Sequence, residues 1–316
     1  MNAFAPSLLV AVLAAAIAGC AGPSATEASS TAASNGAAQE IVHPQGTTTV
    51  HGVPAKVIVT DWASFDTLTA LGVPVAGVPG TVIPPHLANN VDPAAVKVGT
   101  MQEPDAEAIA AAAPDLILIG GRSRTAYPTL SKIAPTVDTS LDNTDIIAGL
   151  KANLALYGEI FQRQQRAAEL SAALDAKVEQ ARAAAQGKGS GLVIVTNGGR
   201  LGIYGPQSRV SWLYSAVGMP SVFDAVDDRE HGGDAITFEY LVKTNPDWLF
   251  VIDRDAGVGN AGTAKALLDN ALLQQTGFWK NDRVVYLDPA AAYVTMHGYD
   301  AVNLLLDQVI EAYGRG

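Results

Sequence analysis

Two stretches of this chain carry the same four residues, in the same order and at the same spacing. Glu107, Pro114, Asp115 and Arg122 are matched by Glu239, Pro246, Asp247 and Arg254, an offset of 132 at every position. Upstream, VIVT occurs at 57–60 and again at 193–196, and Leu71-Gly72-Val73-Pro74 is echoed by Val217-Gly218-Met219-Pro220. A period this long excludes a solenoid and indicates two lobes of similar design. In each copy Glu lies in the first turns of a helix, Pro-Asp turns the chain, and a buried strand follows, DLILIG or DWLFVI, with Arg just past its end. Helix and strand run antiparallel, so the helix N-terminus and the strand's C-terminal end share one edge of the sheet. Ligands of open α/β sheets bind beyond the carboxyl ends of the strands. Arg122 and Arg254 are therefore placed to face a shared cleft between the lobes, with Glu107 and Glu239 on its rim.

The rest of the chain fits this frame. Short β-branched runs at 56–60, 75–78, 116–120, 191–196, 248–253 and 284–287 alternate with helical stretches, the signature of an α/β fold. A hairpin-like start is expected from TTTV, a turn at Gly52-Val53-Pro54, and KVIVT. Residues 163–186 contain no Gly or Pro and place Leu170, Leu174, Val178 and Ala181 on one stripe. They predict a helix about 30 Å long at 1.5 Å per residue, joining an N-terminal lobe (45–162) to a C-terminal lobe (187–316). The fold class is thus α/β, with two Rossmann-like lobes, a long rigid connecting helix and a ligand cleft between the lobes.

The N-terminus supplies a location. An apolar run over residues 4–19 ends in Ile17-Ala18-Gly19 before Cys20, the single cysteine of the chain, and resembles the site cut by the bacterial lipoprotein signal peptidase. The run is shorter than the ~20 residues that span a bilayer, and small residues crowd its end as at a cleavage site. The expectation is a signal peptide at 1–19, a lipidated Cys20, and a flexible tether reaching to about residue 44. Residues 21–40 hold no aromatic residue, Leu, Ile or Val, so burial cannot offset the entropy of ordering them. At ~5–6 Å times the square root of the residue number, the tether spans about 25 Å and keeps the body close to the extracytoplasmic face of the membrane. With Lys+Arg 20 against Asp+Glu 31, a nucleic-acid partner is not expected.

The strings EPDAEAIAAAAPDLILIGGRSR, NGGRLGIYGPQSRVSWLYSAVGMP, HGGDAITFEYLVKTNPDWLFVIDRD and VVYLDPAAAYV resemble the class III periplasmic binding proteins of ABC importers. Among these they are most similar to the ferric-siderophore lipoproteins of the petrobactin and catecholate branch. The resemblance implies a monomeric receptor, not an enzyme, that binds an anionic Fe(III)-siderophore of catecholate or mixed catecholate-citrate type and has no resident cofactor. It implies an arginine cluster at Arg122, Arg209 and Arg254, with Arg124 close behind the first. Tyr204, Trp212 and Tyr127 are candidates to line the pocket, with core packing the alternative role for any one aromatic. Where the siderophore leaves iron sites open, the resemblance implies His231 and Tyr293 as protein donors; the alternative is a solvated loop histidine and a packing tyrosine. Glu107 and Glu239 match the residues with which this class docks onto its two permease subunits; the alternative is surface charge favoured by a helix dipole.

Other readings stand beside this one. Haem or cobalamin capture by the same fold is an alternative. Gly257-Val-Gly259-Asn-Ala-Gly262 spells a dinucleotide fingerprint after a strand, although Asp253 and Asp255 beside it would repel a pyrophosphate. His43, His51, His86, His231 and His297 are scattered, with no His-rich loop for bare-metal capture.

Overall fold

The computed structural model describes residues 37–223, 226 and 233–315. The expected signal peptide, Cys20 and the expected tether as far as residue 36 lie outside the described residues, as does His231. Among the described residues, no helix is long and apolar enough to cross a membrane.

The first pair of strands differs from expectation. β1 (Ala38–His43) and β2 (Gly46–His51) form an antiparallel hairpin that turns at Pro44-Gln45. TTTV therefore pairs backward with residues read as tether, and not forward with KVIVT. The reason is burial: Ile41 and Val50 are 3% and 1% exposed against the N-terminal lobe. The Thr48 hydroxyl donates to the Thr136 carbonyl at 2.7 Å and fixes the hairpin to the sheet edge.

The N-terminal sheet is built from β3 (Val57–Val59), β4 (Gly77–Val78), β5 (Val96–Lys97), β6 (Leu116–Ile119) and β7 (Thr136–Asp138). All are parallel, in the spatial order β5-β4-β3-β6-β7. The order reverses between β3 and β6, and a reversal opens a crevice at the strands' carboxyl ends. Helix α1 (Trp62–Ala70) starts at that crevice, capped by Asp61, whose carboxylate accepts from the Ser64 amide at 2.8 Å.

The C-terminal sheet has the order β10-β9-β8-β11-β12, from β8 (Gly191–Asn197), β9 (Arg200–Tyr204), β10 (Asp234–Ile236), β11 (Trp248–Asp253) and β12 (Val284–Tyr286). β8, β11 and β12 are parallel; β9 and β10 add an antiparallel edge that the sequence reading did not separate. Gly198 and Gly199, at φ 55° and 77°, make the tight β8–β9 turn that replaces a crossover helix here.

The repeat has a clear structural counterpart. α2 (Ala106–Ala112) and α5 (Phe238–Thr244) carry Glu107 and Glu239 in their first turns, and each ends at a left-handed residue, Ala113 or Asn245, before Pro-Asp. The aspartates then do more than turn the chain. Asp115 accepts from the Ala55 and Lys56 amides at 3.0 and 2.8 Å, and Asp247 from the Ser190 amide at 2.7 Å, so each pins the loop that leads into the neighbouring central strand.

Between the sheets run α3 (Ile146–Ile160) and α4 (Gln164–Ala185). α4 is the expected connecting helix, and it buries Leu170, Leu174, Val178 and Ala181 as the stripe predicts. One hydrophobic core runs through it, from Val57, Trp62 and Leu118 on one side to Val193, Phe250 and Leu306 on the other. The C-terminal helix α6 (Tyr299–Arg315) packs on α1 as well as on α4, so the last helix of the chain fastens the two lobes together. Fully burying each Leu or Val contributes about 1.5–3 kcal/mol, which makes this a stiff joint.

Candidate functional site

The arginines predicted from the strand ends do meet. After β6 the chain passes Gly120 into a short 3₁₀ helix, Gly121–Ala126, which carries Arg122. Gly120 is required: a Cβ there would lie 2.7 Å from Asp61 Cγ. The Ser123 and Thr60 hydroxyls, 2.6 Å apart, hold the turn against β3, so Arg122 stands at the reversal of strand order. Its guanidinium crosses the cleft. Nη2 donates to the Tyr293 carbonyl at 2.6 Å and Nη1 to the Val294 carbonyl at 3.0 Å. Burial, followed by the charge of Arg209, lowers its pKa to about 10.

From the other lobe, Arg209 follows β9 and is 9% exposed, lying 5.5 Å from the centre of the Tyr204 ring and 5.1 Å from that of Tyr293. Arg254 opens a one-turn helix at the end of β11, 5.8 Å from the Tyr293 ring centre. A hydrogen bond to the Tyr293 side chain is the main cause of its raised pKa. Arg122 lies 5.7 Å from the same ring. Three cations thus surround one tyrosine, each cation–π contact worth roughly 0.5–2 kcal/mol.

Tyr293 belongs to a π-helical turn, Ala291–Thr295, which closes at Met296 with φ 42° and ψ −65°. The His297 amide donates to the Thr295 carbonyl at 2.5 Å, completing a γ-turn of the strained hand. The Met296 sulfur lies 3.1 Å from Arg209 Nη1 and 3.8 Å from Arg122 Nη2.

A cavity of about 230 Å³ adjoins the cluster. Arg122, Arg124, Arg209, Met296 and His297 form one part of its wall; Asp61, Ser64, Asn143, Asn153 and Tyr157 form another. Asp61 is held ionisable at a cost: desolvation raises its pKa against the opposing hydrogen bonds of Ser64 and the charge of Arg122. His297 is pushed the other way. Burial first, then Arg209 and Arg122, lower its pKa to about 3, so the imidazole is neutral.

Several expected lining residues are placed differently. Arg124 reaches the cavity but is engaged by Asp138 at 3.3 Å, with its side chain 48% exposed. Trp212, at 1% exposure, is a core residue and does not line the cavity, because the turn that carries it buries the ring beneath the site. Tyr204 is fully buried and acts as the platform under Arg209. Tyr127 turns away from the cleft to meet the His43 ring edge-on at 5.4 Å. Arg254 and Tyr293 complete the cluster without lining the cavity itself. Glu107 and Glu239 are both exposed in the first turns of their helices.

The glycine fingerprint is accounted for by packing. A Cβ at Gly257 would lie 2.5 Å from the Pro289 carbonyl, at Gly259 2.7 Å from Val82, and at Gly262 2.9 Å from the Asp253 carboxylate. Each glycine admits a neighbour, one of them from the opposite lobe, and the Asp253 carboxylate itself accepts from the Ala256 and Ala264 amides of this loop.

Sequence reasoning missed Asp61, Met296 and His297. Asp61 had a signal: it follows the first copy of VIVT, as Asn197 follows the second, and ends the strand beside the one that delivers Arg122. Met296 and His297 had none, since the strained turn that brings them to the cleft leaves no periodic pattern.

The comparisons agree with this architecture. The family profile described as "Periplasmic binding protein" matches residues 57–291. The chain is 33% identical over 259 residues to the petrobactin-binding protein YclQ of Bacillus subtilis, covering 81% of each chain. It is 32% identical over 283 residues to the ferric-anguibactin-binding protein FatB of Vibrio anguillarum, covering 86% of this chain and 87% of FatB. The crystal structure of YclQ superposes with a TM-score of 0.84 at 31% identity, over 88% of this chain and 99% of that one. Two α/β lobes on a stiff helix, a cleft at their facing strand ends and this degree of similarity together place the chain in the periplasmic binding protein family.

Proposed function

We propose that this protein is the extracytoplasmic receptor of an ABC importer and binds a ferric siderophore of anionic, catecholate-containing type. The observation that carries the reading is the convergence of Arg122, Arg209 and Arg254 on Tyr293, from both lobes, at 5.1–5.8 Å. Guanidinium supplies permanent charge, forked donors and a face that stacks on aromatic rings, which are the features that recognise a multiply charged complex of planar catecholates. Three like charges held together repel one another, and an anion between them relieves that repulsion. The chain's net charge of −11 opposes such a ligand at long range, but salt screens that field beyond about 8 Å, and the local cluster prevails. Relatives named for petrobactin and ferric anguibactin support the same class.

Binding then requires no bond to be made or broken in the ligand. The chelate enters at the strand ends, its oxygens take the guanidinium N–H groups, and the shared core restricts the lobes to small adjustments. Where the siderophore leaves a coordination site open, the Tyr293 phenol exchanges its Arg254 hydrogen bond for iron and serves as the protein donor. The loaded receptor docks through Glu107 and Glu239, one exposed carboxylate from each lobe, on two permease subunits. Cys20 holds the receptor to the membrane by a lipid anchor.

Titration of tryptophan fluorescence with ferric catecholate, ferric citrate, haem and cobalamin tests the reading. Ferric catecholate is expected to saturate at micromolar concentration or below. Arg209→Ala removes one charge-assisted contact worth about 1.5–3 kcal/mol, so affinity falls roughly tenfold to a hundredfold. Unchanged affinity in a variant that melts like the parent refutes the arginine cleft.

A further inference from the structure

Within the cleft, His297 has a role that neither the arginines nor Tyr293 fill. Its Nε2 is buried and has no hydrogen-bond partner among the described residues. The Arg209 backbone acts on the ring in the sense that raises its pKa, as a carbonyl accepting from it does, and with Nε2 unpartnered Nδ1 is the nitrogen left to donate. Nε2 therefore presents a bare lone pair: it accepts hydrogen bonds and does not donate them. The residue lines the same cavity as Arg122 and Arg209, and the strained turn at Met296 fixes the ring there.

We propose that His297 Nε2 is a ligand-contacting acceptor of the arginine cleft, selecting a chelate that directs an uncharged N–H or O–H donor between Arg122 and Arg209. This rests on the siderophore reading above and deepens it. The donor must be uncharged because the guanidiniums of Arg122 and Arg209, on the same cavity wall, repel an ammonium. Access to Nε2 is controlled by Met296, whose thioether lies against both guanidiniums. Anionic oxygens make stronger bonds to those N–H groups than sulfur does, and an unbranched methionine side chain moves aside at small cost. The ligand that takes the arginines thus uncovers the acceptor. An all-oxygen anion without donors gains nothing from this lone pair, which is unpaired in the free protein already, and so lacks the advantage a donor-bearing chelate has.

The test uses protein labelled with ¹⁵N-histidine and the gallium(III) complex of a tris-catecholamide, a diamagnetic stand-in for the ferric complex, with its amide N-methylated counterpart as control. On saturation with the amide complex, the His297 Nε2 resonance is expected to leave the position of a bare lone pair for that of a hydrogen-bonded nitrogen, and to stay in place with the methylated complex. His297→Leu should bind the amide complex about tenfold more weakly, or 1.4 kcal/mol, and the methylated complex unchanged. His297→Gln, which keeps an acceptor, should recover most of the loss. Saturation with an unmoved resonance, a resonance typical of metal-bound nitrogen, or equal affinity in a folded His297→Leu overturns the inference. If that variant does not fold, the titration of the parent protein decides alone. Failure of the parent to saturate with either complex refutes the siderophore reading itself, and this inference with it.

Discussion

Asp66 offers the sharpest test of how the two lobes are joined. It lies on α1, fully buried, and its carboxylate accepts from the Asp300 amide at 2.6 Å, the Ala301 amide at 3.1 Å and His86 Nε2 at 3.1 Å. Those two amides belong to the first turn of α6, where no intrahelical partner exists. Asp66 is thus a helix cap supplied from the opposite end of the sequence. Asp66→Ala leaves both amides and the imidazole without an acceptor. At about 1.5–3 kcal/mol per hydrogen bond to an ionised group, the two amides alone represent about 3–6 kcal/mol. Desolvation raises the pKa of Asp66 in spite of these bonds, so the lower end applies, and a net loss of about 3 kcal/mol is expected. With a urea m-value near ~3 kcal/mol/M, the unfolding midpoint should fall by about 1 M. Asp66→Asn, which retains one acceptor, should lose about half as much. Gly298→Ala attacks the same contact from the other side, since its Cβ would lie 2.5 Å from Asp66 Cγ. A midpoint for Asp66→Ala within about 0.3 M of the parent would refute the reasoning. Loss in Gly298→Ala alone would assign the junction to packing and not to capping.

Two further outcomes can be checked directly. The pKa of Asp300 is raised to about 6 by burial and then by Asp66, with His86 and Arg166 opposing; between about pH 4 and 6 the unfolded chain releases this proton while the folded one keeps it. Stability should therefore fall as pH rises through that window, and Asp300→Asn should flatten the slope of the urea midpoint against pH; an unaltered slope would assign it to other groups. Glu107→Ala combined with Glu239→Ala should abolish ferric-siderophore uptake in cells while purified receptor binds ligand with parental affinity, and uptake at the parental rate would remove the glutamates from docking.

The sequence was most informative where a residue's role follows from its position in a strand or helix. Arg122 and Arg254 were legible because each closes a buried strand, and a strand's carboxyl end points to one edge of a sheet whatever surrounds it. The stripe of α4 was legible for a similar reason, since its period alone defines a face. For Trp212 and Tyr127 the choice between lining and packing stayed open, because an aromatic side chain carries no sign of whether it faces core, cleft or surface; Trp212 proves to be core. The hairpin was misread because its outer strand owes its order to cross-chain burial of Ile41 and Val50.

By itself, then, the chain determined two α/β lobes, the helix between them and the strand ends that carry charge, because these depend on local periodicity and on a repeat. Only the tertiary structure decided which groups share the cleft. Met296 and His297 reach it through a strained turn, and Asp66 meets α6 across more than 230 residues. Such encounters are set by packing among distant segments, and no local pattern records them.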